Sequence, residues 1–137
     1  MGRQEVKITA DTNILIRAVT GDDPRQSPLA QAELEKADLV AITLPALCEF
    51  VWVLAQGYGV APREIAEVIR RLMNSVNVAM NRPAAEAGLA LLEAGGDFAD
   101  GVIAFEGQWL GAELFLSFDK KAAKLIKAQG AAVHLLA

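Results

Sequence analysis

The chain has 137 residues, 53% of them hydrophobic and 22% charged, which supplies a proper core for one domain and excludes a disordered segment. Its net charge is −4 and only 6% of its residues are aromatic, so it lacks the broad basic surface and the stacking platforms of a passive nucleic-acid binder. The single cysteine, Cys48, excludes an internal disulfide framework and fits a reducing cytoplasm. The first residues, Met1-Gly2-Arg3-Gln4-Glu5, show no apolar segment of a signal peptide.

In chain order, Val6 to Ala10 predicts a short buried strand that runs straight into Asp11. A helix with Ile14, Leu15, Ile16 and Val19 follows, and Asp22-Asp23-Pro24 marks a loop. A small amphipathic helix is predicted from Pro28 to Ala37, then a strand at Leu39 to Ile42. Pro45 suits the first turn of the next helix, about Ala46 to Ala55, which closes near Gln56-Gly57-Tyr58-Gly59. Pro62 opens a helix with an apolar stripe of Ile65, Val68, Ile69, Leu72 and Met73. Val76 to Ala79 reads as a short third strand, at an edge. Pro83 begins a helix with Ala84, Ala87, Gly88, Leu91 and Leu92 on one face, ended by Gly95-Gly96. Phe98 to Trp109 is helical up to the break at Gly111. Leu114 to Ser117 forms a fourth strand, Lys120 to Gln129 a helix, and Ala131 to Leu135 a fifth strand. This repeated strand–helix order implies a parallel sheet covered on both faces. The longest apolar span, Leu39 to Ala55, contains Pro45 and Glu49, so a strand, turn and helix explain it better than a membrane span.

The acids are placed unevenly. Asp11 stands just past the first strand, where open parallel sheets bind ligands, although a helix N-cap explains it equally well, with Asn13 as turn chemistry. Glu49 interrupts the apolar run Leu47-Cys48-Glu49-Phe50-Val51-Trp52. Asp97 and Asp100 share one face at the start of a helix, and Asp119 follows the strand Leu114 to Phe118. Four segments thus each deliver acid to a strand end or to a first helical turn. Carboxylates about 5 Å apart repel by roughly 3 kcal/mol per pair at an effective dielectric near 20. Four that converge therefore need a proton or a cation, and oxygen ligands without His or Cys favour Mg²⁺ or Mn²⁺ over zinc. The one histidine, His134, lies on the last strand with a structural role, and Cys48 lacks a histidine partner that would make it a nucleophile.

Asp11-Thr12-Asn13-Ile14-Leu15, the embedded Glu49, Asp97-Phe98-Ala99-Asp100-Gly101-Val102-Ile103-Ala104 and Ser117-Phe118-Asp119 occur in an order and spacing that resembles PIN-domain ribonucleases, VapC-type toxins of prokaryotic toxin–antitoxin pairs above all. The likeness runs from about Lys7 to the C-terminus. It implies a single domain over residues 1–137, with an ordered core of about 7–135. The implied fold is a three-layer α/β/α PIN-like one, with a five-stranded, mainly parallel sheet of order 3-2-1-4-5. That order would set Asp11 and Asp119 at adjacent strand ends. It also implies a cytoplasmic, Mg²⁺- or Mn²⁺-dependent endoribonuclease, a hydrolase of RNA phosphodiester bonds. Its partners would be RNA, a cognate antitoxin and a second copy in a homodimer, with no membrane.

On this reading Asp11, Asp100 and Asp119 ligate the metal, and Glu49 orients or deprotonates the attacking water, whose pKa the ion lowers. Asn13 and Ser117 hold the carboxylates, and Asp97 is either a further member of the cluster or the cap of its helix. Lys120, Lys124 and Lys127 share a helix face beside Asp119. They form either a solvated face or, with Arg17, a track for RNA phosphates. The helix bearing Glu49 is apolar nearly all round. Trp52 and Val53 on its Glu49 side are buried in the monomer or a homodimer, or are covered by the antitoxin. Two rival classes are open. An aspartyl phosphoryl-transfer enzyme needs a second Asp two residues after the first, where Asn13 stands, and a receiver domain needs one where Asn77 stands. The other rival is a catalytically inactive PIN-like binding module, against which the intact acids argue.

Overall fold

A computed structural model describes residues 4–137. Along them run β1 (Lys7–Thr9), α1 (Thr12–Thr20), α2 (Gln26–Lys36), β2 (Leu39–Ala41), α3 (Leu44–Trp52), a π turn (Val53–Gly57) and α4 (Pro62–Asn74). Then follow β3 (Val78–Ala79), α5 (Arg82–Glu93), α6 (Phe98–Trp109), β4 (Phe115–Ser117), α7 (Lys120–Ala128) and β5 (Val133–Leu135). The chain folds as two compact units, the first ending at Asn81 and the second spanning Arg82–Ala137.

In the first unit, β1, β2 and β3 form a parallel sheet in that order, Ile8 beside Val40 and Val40 beside Val78. Parallel neighbours need a crossover. The helical pairs α1–α2 and α3–α4 provide the two crossovers. Leu15, Val40, Leu47, Phe50, Leu54, Ile65 and Ile69 are almost completely buried, each worth roughly 1.5–3 kcal/mol relative to exposure. The stripe predicted on α4 points inward at Ile65, Ile69 and Met73.

In the second unit, β4 and β5 form a parallel pair, Leu116 beside His134, with α7 as the crossover. Helices α5 and α6 pack very closely because two glycines face the contact. A Cβ at Gly101 would lie 2.5 Å from the Ala87 carbonyl oxygen, and one at Gly88 would lie 2.6 Å from the Phe98 ring. Phe98 is 1% exposed there.

The α/β class, the parallel pairing and the element order match the sequence reading. The single five-stranded sheet of order 3-2-1-4-5 does not: the strands form one sheet of three and another of two. A central strand of a parallel sheet is buried on both faces and apolar throughout. In β1 Lys7 and Thr9 are exposed, and in β4 Leu116 is exposed, so neither strand has the burial of a centre. The predicted burial of the first strand fails for the same reason. The adjacency of Asp11 and Asp119 inferred from that strand order loses its basis as well. The β4–β5 pair carries α7 on one face, while Leu114, Leu116 and Phe118 on the other are exposed.

Candidate active site

One local device is repeated at three strand ends. In each case the residue two past the strand is a helix N-cap in extended conformation. Asp11 Oδ1 accepts from the Ile14 N–H at 2.9 Å, Thr43 Oγ1 from Ala46 at 3.4 Å, and Asp119 Oδ1 from Ala122 at 3.0 Å. Ser, Thr and Asp are favoured there because the side-chain oxygen satisfies an N–H that the helix leaves unpaired. At Asp11 and Asp119 the cap is charged, and Oδ2 has no hydrogen-bond partner among the described residues. Ser117 Oγ accepts from the Asp119 N–H at 2.9 Å. It therefore fixes the Asp119 backbone, not the carboxylate.

Asp97 caps α6, with Oδ1 accepting from the Ala99 N–H at 3.1 Å. Asp100 lies in the first turn of α6 and is half-buried. Its side chain has no hydrogen-bond or ion-pair partner among the described residues. Burial first, then the charges of Asp97 and Asp119, hold its pKa above the ordinary carboxylate value. Asp100 thus feels both Asp97 and Asp119 within the second unit.

In the first unit Glu49 is exposed on α3 and has no side-chain partner among the described residues. Trp52, three residues on and hence on the same helix face, is 64% exposed, so the reading that buries it inside the monomer fails. Val53 is half-buried at the start of the π turn. Asn13 is exposed and makes no side-chain hydrogen bond to Asp11. With Asp11 and Arg17 it lines an open cleft of about 340 Å³ between α1 and α2.

Arg17 is heavily engaged. Its Nε donates to Gln26 Oε1 at 2.9 Å, and its Nη1 to both Asp22 oxygens at 3.2 Å and to the Tyr58 hydroxyl at 3.4 Å. The Tyr58 hydroxyl also donates to Asp22 at 2.6 Å, which, with the Thr20 hydroxyl and Arg17, lowers the Asp22 pKa to about 2. Lys120, Lys121, Lys124 and Lys127 are exposed on α7, opposite the buried Ala122, Ala123 and Ile126. None has an ion-pair partner among the described residues. His134 is exposed on β5, so it does not fill a core position, and Cys48 is half-buried.

The family model of the PIN domain matches residues 8–128. The chain belongs to the PIN-domain family. Comparison with curated proteins gives no match. PIN domains are in general nucleases, and PIN-domain nucleases typically use divalent metal ions. In this PIN domain the donors fit such an ion chemically, since carboxylates are hard ligands and a cation beside Asp100 would offset the charges that raise its pKa. The coordination set is not assembled, however: among the described residues no three His, Cys, Asp or Glu side chains form a group that could hold a metal. No helix among them is long and apolar enough to cross a membrane.

The sequence reading of the PIN domain missed Asp22, Gln26 and Tyr58. One signal was available for Asp22. Gly21 ends α1 in the left-handed conformation (φ 63°), and a glycine helix stop turns the next residue back toward the last turn, where Arg17 sits. Nothing local marked Tyr58, which lies 36 residues from Asp22.

Proposed function

We propose that the chain is a divalent-metal-dependent endoribonuclease and acts as the toxin of a type II toxin–antitoxin pair. Asp11, Asp100 and Asp119 are the metal ligands in this reading, and Glu49 orients or deprotonates the attacking water. The supporting observation is Asp100. A half-buried acid with no side-chain partner, its pKa raised first by burial and then by the charges of Asp97 and Asp119, costs the fold stability and is repaid by no contact within the described residues. Such perturbed groups mark functional sites.

Mg²⁺ or Mn²⁺, when bound, supplies Lewis acidity that stabilises charge developing on the scissile phosphate. The chain's own groups do the rest. Asp97, Asp11 and Asp119 each anchor a helix start through Oδ1, which holds these carboxylates in place. Ser117 fixes the turn bearing Asp119. Lys120, Lys124 and Lys127, which have no ion-pair partner among the described residues, are available to RNA phosphates, which they position without reading sequence.

The test is cleavage of total RNA by the purified protein with Mg²⁺ or Mn²⁺, with EDTA, and with Asp11→Asn. Asparagine caps a helix about as well as aspartate, so this substitution removes charge and keeps the fold. Cleavage that needs the metal and is lost in Asp11→Asn supports the reading. Cleavage that persists in EDTA or in the variant refutes it.

The antitoxin belongs on the exposed side of α3, where Trp52 is uncovered on the face of Glu49. An apolar partner segment there would cover Trp52 and Val53, and a basic side chain on it would pair with Glu49 on the same face. Trp52→Glu should release the cognate antitoxin and leave RNA cleavage unchanged. Co-purification that survives the change puts the docking site elsewhere.

A further inference from the structure

The cleft between α1 and α2 is absorbed only in part by the reaction described above. Asp11 is among the residues that line it. The rest of its lining includes groups with no task in hydrolysis, the polar Arg17 and Gln26 and the apolar Ile14 and Leu29. Leu29 is 61% exposed, which costs the free protein apolar hydration and suits a flat ligand that covers it. At about 340 Å³ the cleft is at the small end of the roughly 300–1,000 Å³ that ligand sites span. It has room for one small unit and not for a stretch of polymer.

Arg17 makes this more than a depression. Three partners from separate places in the unit fix its guanidinium: Gln26 on Nε, Asp22 and Tyr58 on Nη1. The π turn is closed by the Tyr58 N–H to Val53 O at 3.2 Å, and it delivers the hydroxyl that braces Asp22. Nη2 has no hydrogen-bond partner among the described residues. A guanidinium held on one edge and open on the other is preorganised for an anionic oxygen. Asn13 is four residues before Arg17 on the same face of α1, which adds an amide beside it. Glu33, which also lines the cleft, is already paired with Lys36 at 3.1 Å, which offsets its charge.

We propose that this cleft is a subsite for a single unpaired ribonucleotide adjoining the scissile phosphate. Arg17 Nη2 takes its phosphate, Ile14 and Leu29 take the face of its base, and the amides of Asn13 and Gln26 meet its polar edge. Asp22 and Tyr58 are positioning residues that act through Arg17. The proposal rests on the nuclease reading for the adjoining scissile phosphate, but not for the binding itself.

Two measurements test it. In EDTA, the protein is titrated with uridine and adenosine 5′-monophosphates and followed by NMR at the Asn13 and Gln26 side-chain amides and the Leu29 methyls. These signals should move together on saturation, and should move far less in Arg17→Ala or, if that variant does not fold, in Tyr58→Phe. With Mg²⁺ and a short single-stranded RNA, Leu29→Ser and Tyr58→Phe should each raise KM roughly tenfold and leave kcat within about twofold, the pattern of lost ground-state binding. Nucleotides that leave the cleft signals unmoved, or variants that lower kcat at constant KM, overturn the subsite. A wild-type protein that binds nucleotide here but cleaves no RNA keeps the subsite and sinks the nuclease reading. One that cleaves RNA without cleft binding does the reverse.

Discussion

At Asp100 the fold works against the charged form. Its folded-state pKa is raised by burial, Asp97 and Asp119, above an unfolded value near 3.9. The sign follows from linkage: a raised acid favours the folded state fully below the unfolded pKa and loses that contribution as pH rises through the folded one. In metal-free protein, Asp100→Asn should therefore be at least as stable as wild type at pH 7, with the advantage fading toward pH 4, as measured by urea unfolding in EDTA. A variant less stable at pH 7 would mean that Asp100 makes a contact that matters to the fold. Asp11 needs a different pair of substitutions, because it caps α1 whatever else it does. Asp11→Ala should cost about 1 kcal/mol and Asp11→Asn close to nothing. Both should abolish cleavage, which separates the cap from the chemistry. The sequence left the two readings of Asp11 as alternatives, and the geometry shows why they are compatible: one oxygen is enough for the cap.

Among the elements, α6 depends most on a residue beside the site. Gly101 follows Asp100, and a Cβ there would lie 2.5 Å from the Ala87 carbonyl oxygen and 2.9 Å from Gly88 Cα. Both are backbone atoms that cannot swing aside. Gly101→Ala should destabilise by roughly 1–3 kcal/mol and displace Asp100 with it, so thermal unfolding and activity should fall together. Helix α7 makes the opposite case, an exposed lysine face with no ion-pair partner among the described residues. Replacing Lys120, Lys124 and Lys127 by Gln should leave stability nearly unchanged, and the slope of log affinity for RNA against log salt should fall by roughly 2 units. An unchanged slope returns the lysines to solvent. Most element boundaries were readable because the signals are local: Pro45 and Pro62 open helices, and Gly111 and Gly130 have positive φ just past α6 and α7. The π turn was not readable, since its widened hydrogen bonding leaves no mark in residue type. The Arg17–Asp22–Tyr58 cluster depends on contacts up to 41 residues apart.

Over the whole molecule, the α/β class followed from alternating patterns, and the PIN family from four acidic blocks in order. Pairing was legible only in part. The order β1-β2-β3 and the β4–β5 pair agree with neighbours in the predicted sheet, but the five strands do not form one sheet. Strands of two or three residues carry too little periodicity to fix their neighbours, and the exposed Lys7, Thr9 and Leu116 are the residues that a central position would have forbidden. The assignment of the acids as metal ligands is most directly tested by Mn²⁺ binding without RNA, measured by electron paramagnetic resonance. Wild type should bind Mn²⁺ at a saturable site, Asp100→Asn and Asp119→Asn should lose affinity by about tenfold or more, and Glu86→Gln, on the exposed side of α5, should bind as wild type does. Equal Mn²⁺ affinity in all four proteins would contradict a metal site at these carboxylates.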